Sequence, residues 1–151
     1  MFDVESKIAN VLDQDFDAPY IFQQVLKKEV YLLPDELILD IIWLRRETQL
    51  EGNETRIYSP SKLLVLTSYG LIIAEEGFTR ISEDMLGYKV QHIPYNKISD
   101  IELDVCLLAG VLKIATNAYG KNEAGIEFNT AKYYSQFEKF IEILRQKVFQ
   151  S

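Results

Sequence analysis

The chain has 151 residues, 48% of them hydrophobic and 26% charged, with a net charge of −7. That is enough chain to bury about 68–70% of its unfolded surface without staples, and the composition excludes a disordered polymer. The acidic balance excludes nucleic acid as an expected partner and disfavours anionic membrane surfaces. The single cysteine, Cys106, cannot close an internal disulfide. The opening MFDVESKIAN lacks the basic and apolar regions of a signal peptide. The longest charge-free run is too short to cross a bilayer. The expectation is a soluble cytoplasmic protein. Asn53-Glu54-Thr55 matches a glycosylation sequon, which such a protein would not use.

Residues 1–33 read as two helices. Val4, Ile8, Val11 and Leu12 share one helical face and Asp3 is placed to cap it. Asp13–Ala18 breaks the pattern. Its Asp13-Gln14-Asp15-Phe16-Asp17 run imitates the start of a calcium loop, but Ala18 replaces the turn glycine and Gln24 the closing carboxylate, so it reads as an acidic linker. Pro19 opens a second helix, with Ile21, Phe22, Val25 and Leu26 at helical spacing, which Pro34 is expected to close.

Strands follow. Leu37–Arg45 is apolar almost throughout and its Ile-Ile-Trp cluster favours a strand. Residues 46–60 read as a loop or hairpin end. Leu63–Leu66 and Leu71–Ala74 form a hairpin across Thr67-Ser68-Tyr69-Gly70, with Gly70 expected to supply a positive φ. A polar connection around Gly77 with a short strand at Phe78–Ile81 leads to a strand at Tyr88–Ile93, ending at Pro94. Ile101, Leu103 and Val105 alternate with Glu102 and Asp104, the period of a half-buried strand. Val111–Thr116 runs back, Asn117–Asn122 turns, and Ala124–Phe128 is the last strand. A long amphipathic helix closes the chain, with Tyr134, Phe137, Phe140, Ile141, Leu144 and Val148 as its apolar stripe and Asn129 or Thr130 as its cap.

Three strings resemble those of bacterial pleckstrin-homology (PH)-like domains of the short YokE-like type. Lys62-Leu-Leu-Val-Leu-Thr67 followed by Leu71-Ile-Ile73 resembles the family's central hairpin. Ile93-Pro-Tyr-Asn-Lys-Ile98 followed by Ile101 resembles its mid-domain string. Leu107-Leu-Ala-Gly-Val-Leu-Lys-Ile114 resembles its small-residue bend. Gly70 departs from the family, which carries a basic residue just before Leu-Ile. The resemblance covers about residues 34–149. It implies a mainly β fold with α: a PH-like curled antiparallel sandwich or barrel of about seven strands, capped by the C-terminal helix; the two N-terminal helices read from residues 1–33 lie outside the resemblance and precede it. Residues 1–33 are then a helical extension and 34–151 the PH-like domain. Trp43, Leu64, Leu66, Ile72, Ile101, Leu103, Ile114, Ile126 and Phe128 are expected inside, with Phe137, Phe140, Ile141 and Leu144 closing it.

The resemblance brings phosphoinositide binding to mind, which needs several cations converging on phosphates. Arg45, Arg46, Arg56 and Lys62 form a candidate headgroup patch, but Glu47, Glu51 and Glu54 share the loop and offset it. Adjacent Arg45 and Arg46 point apart on a strand. Cys106 is expected in an apolar setting and His92 on a strand edge, with no third group to make them a catalytic pair. The sequence offers no catalytic, cofactor-binding or metal-ligating constellation and no phosphate-cradling glycine loop. Tyr20, Tyr31, Tyr58, Tyr69, Tyr88 and Tyr119 fall near turns or element ends, where tyrosine serves contacts or simply wets its hydroxyl. The expected function is a non-catalytic binding module acting through an unknown protein partner or self-association. The alternatives are peripheral binding to membrane lipid headgroups, with Arg80 and Lys89 assisting, and a small ligand held in a cavity between sheet and helix.

Overall fold

A computed structural model of the chain describes residues 3–13, 20–28, 31–76, 88–116 and 123–150; the side chains of residues 48, 49, 51, 54–58 and 123 fall outside that description. The acidic run after Asp13, Pro19, the strand expected at Phe78–Ile81 and the turn at Asn117–Asn122 lie outside the described residues.

Seven antiparallel strands form two sheets. The first has the order β1 (Ile38–Leu44), β4 (Lys62–Thr67), β5 (Gly70–Glu76), β6 (Tyr88–Pro94). The second has the order β7 (Ile98–Val105), β8 (Ala109–Thr116), β9 (Glu123–Asn129). The stretch read as loop or hairpin end is a hairpin, β2 (Glu47–Glu51) with β3 (Glu54–Ser59), turning at Gly52 with φ 62°. Two helices, α1 (Val4–Leu12) and α2 (Tyr20–Leu26), precede the strands, and α3 (Thr130–Gln150) follows them. The architecture is mixed β with α, a sandwich closed by its last helix.

The first and last helices start where the sequence places a cap. Asp3 Oδ1 accepts the Ser6 N–H at 2.8 Å, a bond that holds its carboxyl below the usual 3.8. Asn129 Oδ1 accepts the Lys132 N–H at 3.2 Å at the head of α3. α2 ends at Leu26 rather than at Pro34. Its apolar pairs run out there, two lysines follow, and Lys28 (φ 60°) and Tyr31 (φ 68°) take left-handed backbone that a helix cannot continue.

β1, β4 and β5 of the first sheet are buried on both faces. Ile42, Leu44, Leu64, Leu66, Leu71, Ile73 and Ile93 face inward onto Leu112, Ile114, Ile126 and Phe128 of the second sheet and onto Phe137, Phe140 and Leu144 of α3. Phe128 and Phe137 stack with ring centres 3.9 Å apart. Ile41, Trp43, Leu63, Val65, Ile72 and Ala74 face the other way, under Val11, Ile21, Phe22, Val25 and Leu26. Trp43 and Ile72 are therefore not between the sheets, where they were expected. The register pairs Trp43 with Leu63 and Val65 with Ile72, and residues paired across strands share a face. The N-terminal helices are thus a third layer, and each large apolar side chain they bury contributes about 1.5–3 kcal/mol. Among the interior residues expected in the second sheet, Ile101 and Leu103 are only partly covered.

Two buried polar clusters join the layers. Before β1, Glu36 accepts the Leu33 N–H at 3.1 Å and the Thr67 hydroxyl, while the Tyr95 hydroxyl donates to the Thr67 carbonyl. Tyr95 sits in the short 3-10 turn Tyr95–Lys97 between the sheets, so this cluster pins the corner. On β1, a register shift between Ile38 and Asp40 accompanies a wholly buried Asp40, whose Oδ1 lies 2.6 Å from Lys7 Nζ on α1. Gly70 does not take the expected positive φ. Its glycine is required by approach: a Cβ there would lie 2.4 Å from the Ile93 carbonyl oxygen on β6.

Candidate interaction surfaces

The four cations read as a headgroup patch have three different fates. Arg46 makes a double hydrogen bond to Glu76, at 2.7 Å through Nε and 2.6 Å through Nη2. Glu76 is buried and also accepts the Ser61 N–H at 2.8 Å. Ser61 in turn accepts the Trp43 indole N–H at 3.0 Å and donates to the Leu44 carbonyl. Arg46 is thus a structural residue, neutralising a carboxylate that organises the end of β1. Arg45 turns away from it, as neighbours in extended chain should, and stacks over the Trp43 ring at 4.6 Å. Its N–H donates to the Tyr133 hydroxyl at 3.3 Å. Lys62 opens β4. Arg45 and Lys62 do come together, lining a cleft of about 520 Å³ with Glu47, Leu108, Glu127 and Tyr133. The Arg56 side chain lies outside those described.

Beside this cleft stands the end of the β7–β8 hairpin. Val105 is 45% exposed, Leu107 90% and Leu108 68%, and Cys106 is exposed too. Cys106 therefore does not have the apolar surroundings its neighbours in sequence suggested, because those neighbours themselves face solvent. His92 is on β6, in the other sheet, near the Tyr31 ring at 5.8 Å. The tip is held in shape. Cys106 N–H donates to the Ala109 carbonyl at 2.7 Å, and Thr130 at the start of α3 donates its hydroxyl to the Cys106 carbonyl at 3.2 Å.

A second apolar surface lies along β7. Ile101 and Leu103 of the strand, with Ile141, Val148 and Phe149 of α3, line a groove of about 410 Å³ whose rim carries Asp100 and Arg145. Phe149 is 73% exposed, and Arg145 stacks on its ring at 5.3 Å. Among the described residues β7 pairs only with β8, so its other edge is open. Asp100, Glu102 and Asp104 alternate with the apolar residues and are exposed. Lys113 on β8 reaches Asp104 at 2.9 Å and Glu102 at 3.3 Å. Its hydrogen bond holds the Asp104 carboxyl low, and the two carboxylates hold the ammonium up. The alternation on β7 is legible in the sequence and the groove is not. The signal was Phe149, an aromatic beyond the helix stripe, together with two half-covered positions on β7.

The tyrosines behave as their mixed chemistry suggests. Tyr20, Tyr31, Tyr69 and Tyr88 are exposed, while Tyr119 and the Tyr58 side chain lie outside the described residues. Tyr31 and Tyr88 hydroxyls meet at 3.3 Å, and the Tyr69 hydroxyl donates to Asp35. Both contacts raise the phenol pKa, the first at Tyr31 and the second at Tyr69. Tyr31, Tyr69 and His92 line a shallow cleft of about 290 Å³. A larger one, about 480 Å³, opens between α1, β1 and α3, with Lys7, Asn10, Trp43, Arg45 and Gln136 on its walls. Among the described residues no three His, Cys, Asp or Glu side chains converge as they would on a metal ion, and no helix is long and apolar enough to cross a membrane.

Comparison with protein-family models, with curated proteins and with solved structures gave no match.

Proposed function

We propose that this chain is a non-catalytic PH-like binding module that acts through protein contact, with another protein or with a second copy of itself. The observation that carries this reading is the hairpin tip. Two leucines stand in solvent, 90% and 68% exposed, on a turn fixed from beneath by α3. A rigid apolar projection is a costly thing to leave bare and a good anchor when covered. A photo-crosslinking side chain at position 107, expressed in the host, is expected to capture protein, and one at exposed Glu5 to capture far less. Sedimentation equilibrium over a range of concentrations separates a second copy from a foreign chain, and Leu107→Asp with Leu108→Asp is expected to abolish either contact. A concentration-independent monomer with no crosslink from the tip would overturn the reading.

A second reading is favoured by Arg45 and Lys62 sharing the cleft next to that tip. Two cations beside an apolar wedge suit an anionic lipid surface, although Glu47 and Glu127 in the same cleft oppose it. Sedimentation with phosphatidylserine vesicles that fades with salt, and is lost in Arg45→Glu with Lys62→Glu, would put lipid binding in place of protein contact.

A further inference from the structure

We infer that the groove between β7 and the end of α3 receives an extended cationic peptide, which adds to the open edge of β7 as a further strand; this rests on the reading of the chain as a protein-contact module. Three features converge. The edge of β7 away from β8 has no sheet partner among the described residues, so no described strand occupies its backbone donors and acceptors on that side. The groove beside it is apolar, floored by Ile101 and Leu103 and walled by Ile141, Val148 and Phe149, and is of a size that takes ligand side chains. The strand itself alternates, with Asp100, Glu102 and Asp104 between the apolar positions.

The alternation selects the occupant. A strand laid on β7 places its own side chains in the same alternation, one set into the groove and the other beside the carboxylates. The first set must be apolar and the second is favoured as Lys or Arg. Lys113 serves Glu102 and Asp104 together, Asp100 has no ion pair among the described residues, and Arg145 on the facing rim stacks on Phe149, so three carboxylates outnumber two cations and the groove keeps a net negative charge. The same charges speak against a second copy. Two β7 edges laid antiparallel around Glu102 would set Asp100 opposite Asp104 and Glu102 opposite itself, and like charges directly across a ladder are destabilising. The partner is therefore a different chain, carrying alternate basic and apolar residues in a stretch free to extend.

The probe is the hexapeptide Lys-Val-Lys-Ile-Lys-Val, blocked at both ends, titrated into the full chain to about 1 mM and followed by amide chemical shifts. Shifts are expected along β7 and the last two turns of α3, saturating, and weaker at higher salt. Phe149→Ala is expected to weaken binding by about tenfold. Asp100→Lys with Glu102→Lys is expected to reverse the preference, so that Glu-Val-Glu-Ile-Glu-Val binds better than the lysine peptide. All three residues are exposed, so circular dichroism and thermal midpoint should stay unchanged and report intact folding. No saturable shift at β7, shifts that map to the hairpin tip instead, or a dimer broken by Phe149→Ala would overturn the proposal. If crosslinks from position 107 persist in that case, protein contact stands and only the groove assignment falls.

Discussion

Lys7 Nζ lies 2.6 Å from Oδ1 of Asp40, joining a helix that is 33 residues away in sequence to a carboxylate with no exposure to solvent. The Lys7 side chain keeps 17% of its surface in water. Oδ1 also accepts the Ile41 N–H at 3.0 Å, while Oδ2 is buried with no partner among the described residues. Removing the lysine leaves a buried charge uncompensated, which typically costs about 3–5 kcal/mol. Lys7→Met is expected to lose that much in urea denaturation. Asp40→Asn removes the charge and leaves a lysine that can turn to solvent, so its loss should be smaller, about 1–3 kcal/mol. Lys7→Met with Asp40→Leu should recover most of the deficit. A loss for Lys7→Met below about 1 kcal/mol would mean the pair does not hold α1 to the sheet.

Gly110 is fixed by its neighbour across the ladder. A Cβ at that position would lie 2.4 Å from Phe128 Cζ, and Phe128 cannot retreat because it is stacked on Phe137. Gly110→Ala is therefore expected to cost about 1–3 kcal/mol by overpacking. Combined with Phe128→Leu the penalties should be less than additive, since the smaller side chain frees the space. Strict additivity in the double-mutant cycle would show that the ring is not what excludes the methyl group.

Alkaline stability should report on Tyr95. Burial, aided by the Glu36 carboxylate, pushes its phenol well above the usual 10.0. Above pH 10 the unfolded chain loses this proton while the folded chain keeps it, so the unfolded state binds fewer protons and stability falls as pH rises. The contribution is fully present below pH 10 and disappears toward the raised folded value. Tyr95→Phe cannot ionise, and its stability should decline less steeply over that window. Parallel slopes for the two proteins in denaturant titrations from neutral pH upward would refute the assignment.

Arg45 and Arg46 should separate cleanly by experiment. Arg46→Ala removes both hydrogen bonds to buried Glu76 and should cost about 1–3 kcal/mol. Arg45→Glu with Lys62→Glu touches only partly exposed side chains and should change stability by less than about 1 kcal/mol. Thermal melts of both variants, compared with their vesicle sedimentation, distinguish a folding defect from a surface effect.

How far the sequence could be read depended on whether burial was one-sided. The seven sandwich strands were all legible, because apolar runs and turn residues mark them locally. The alternation of Ile101 with Glu102 gave the face of β7 correctly. β1 and β5 have no alternation, since both their faces are covered, so Trp43 and Ile72 were placed on the wrong side. The pairings of Trp43 with Leu63 and of Val65 with Ile72 reveal it, and those contacts have no local signature. Asp40 was passed over inside an apolar string for the same reason, its partner being on a distant helix. Among the candidate site residues, Arg45 and Lys62 line one cleft, whereas Arg46 is diverted to Glu76, 30 residues on, which no local pattern signals.

The three-layer arrangement also has a consequence for the order in which the chain can be made. Phe22 and Val25 leave the ribosome early, yet the surface they rest on is not finished until Ala74 on β5 and Val90 on β6 have been synthesised. Until then the nascent helices carry a greasy stripe with no seat, and once the sheet forms it shows a bare outer face until they arrive. Docking of the two helices is therefore a late step of folding, although they are made first, because it must wait for β6.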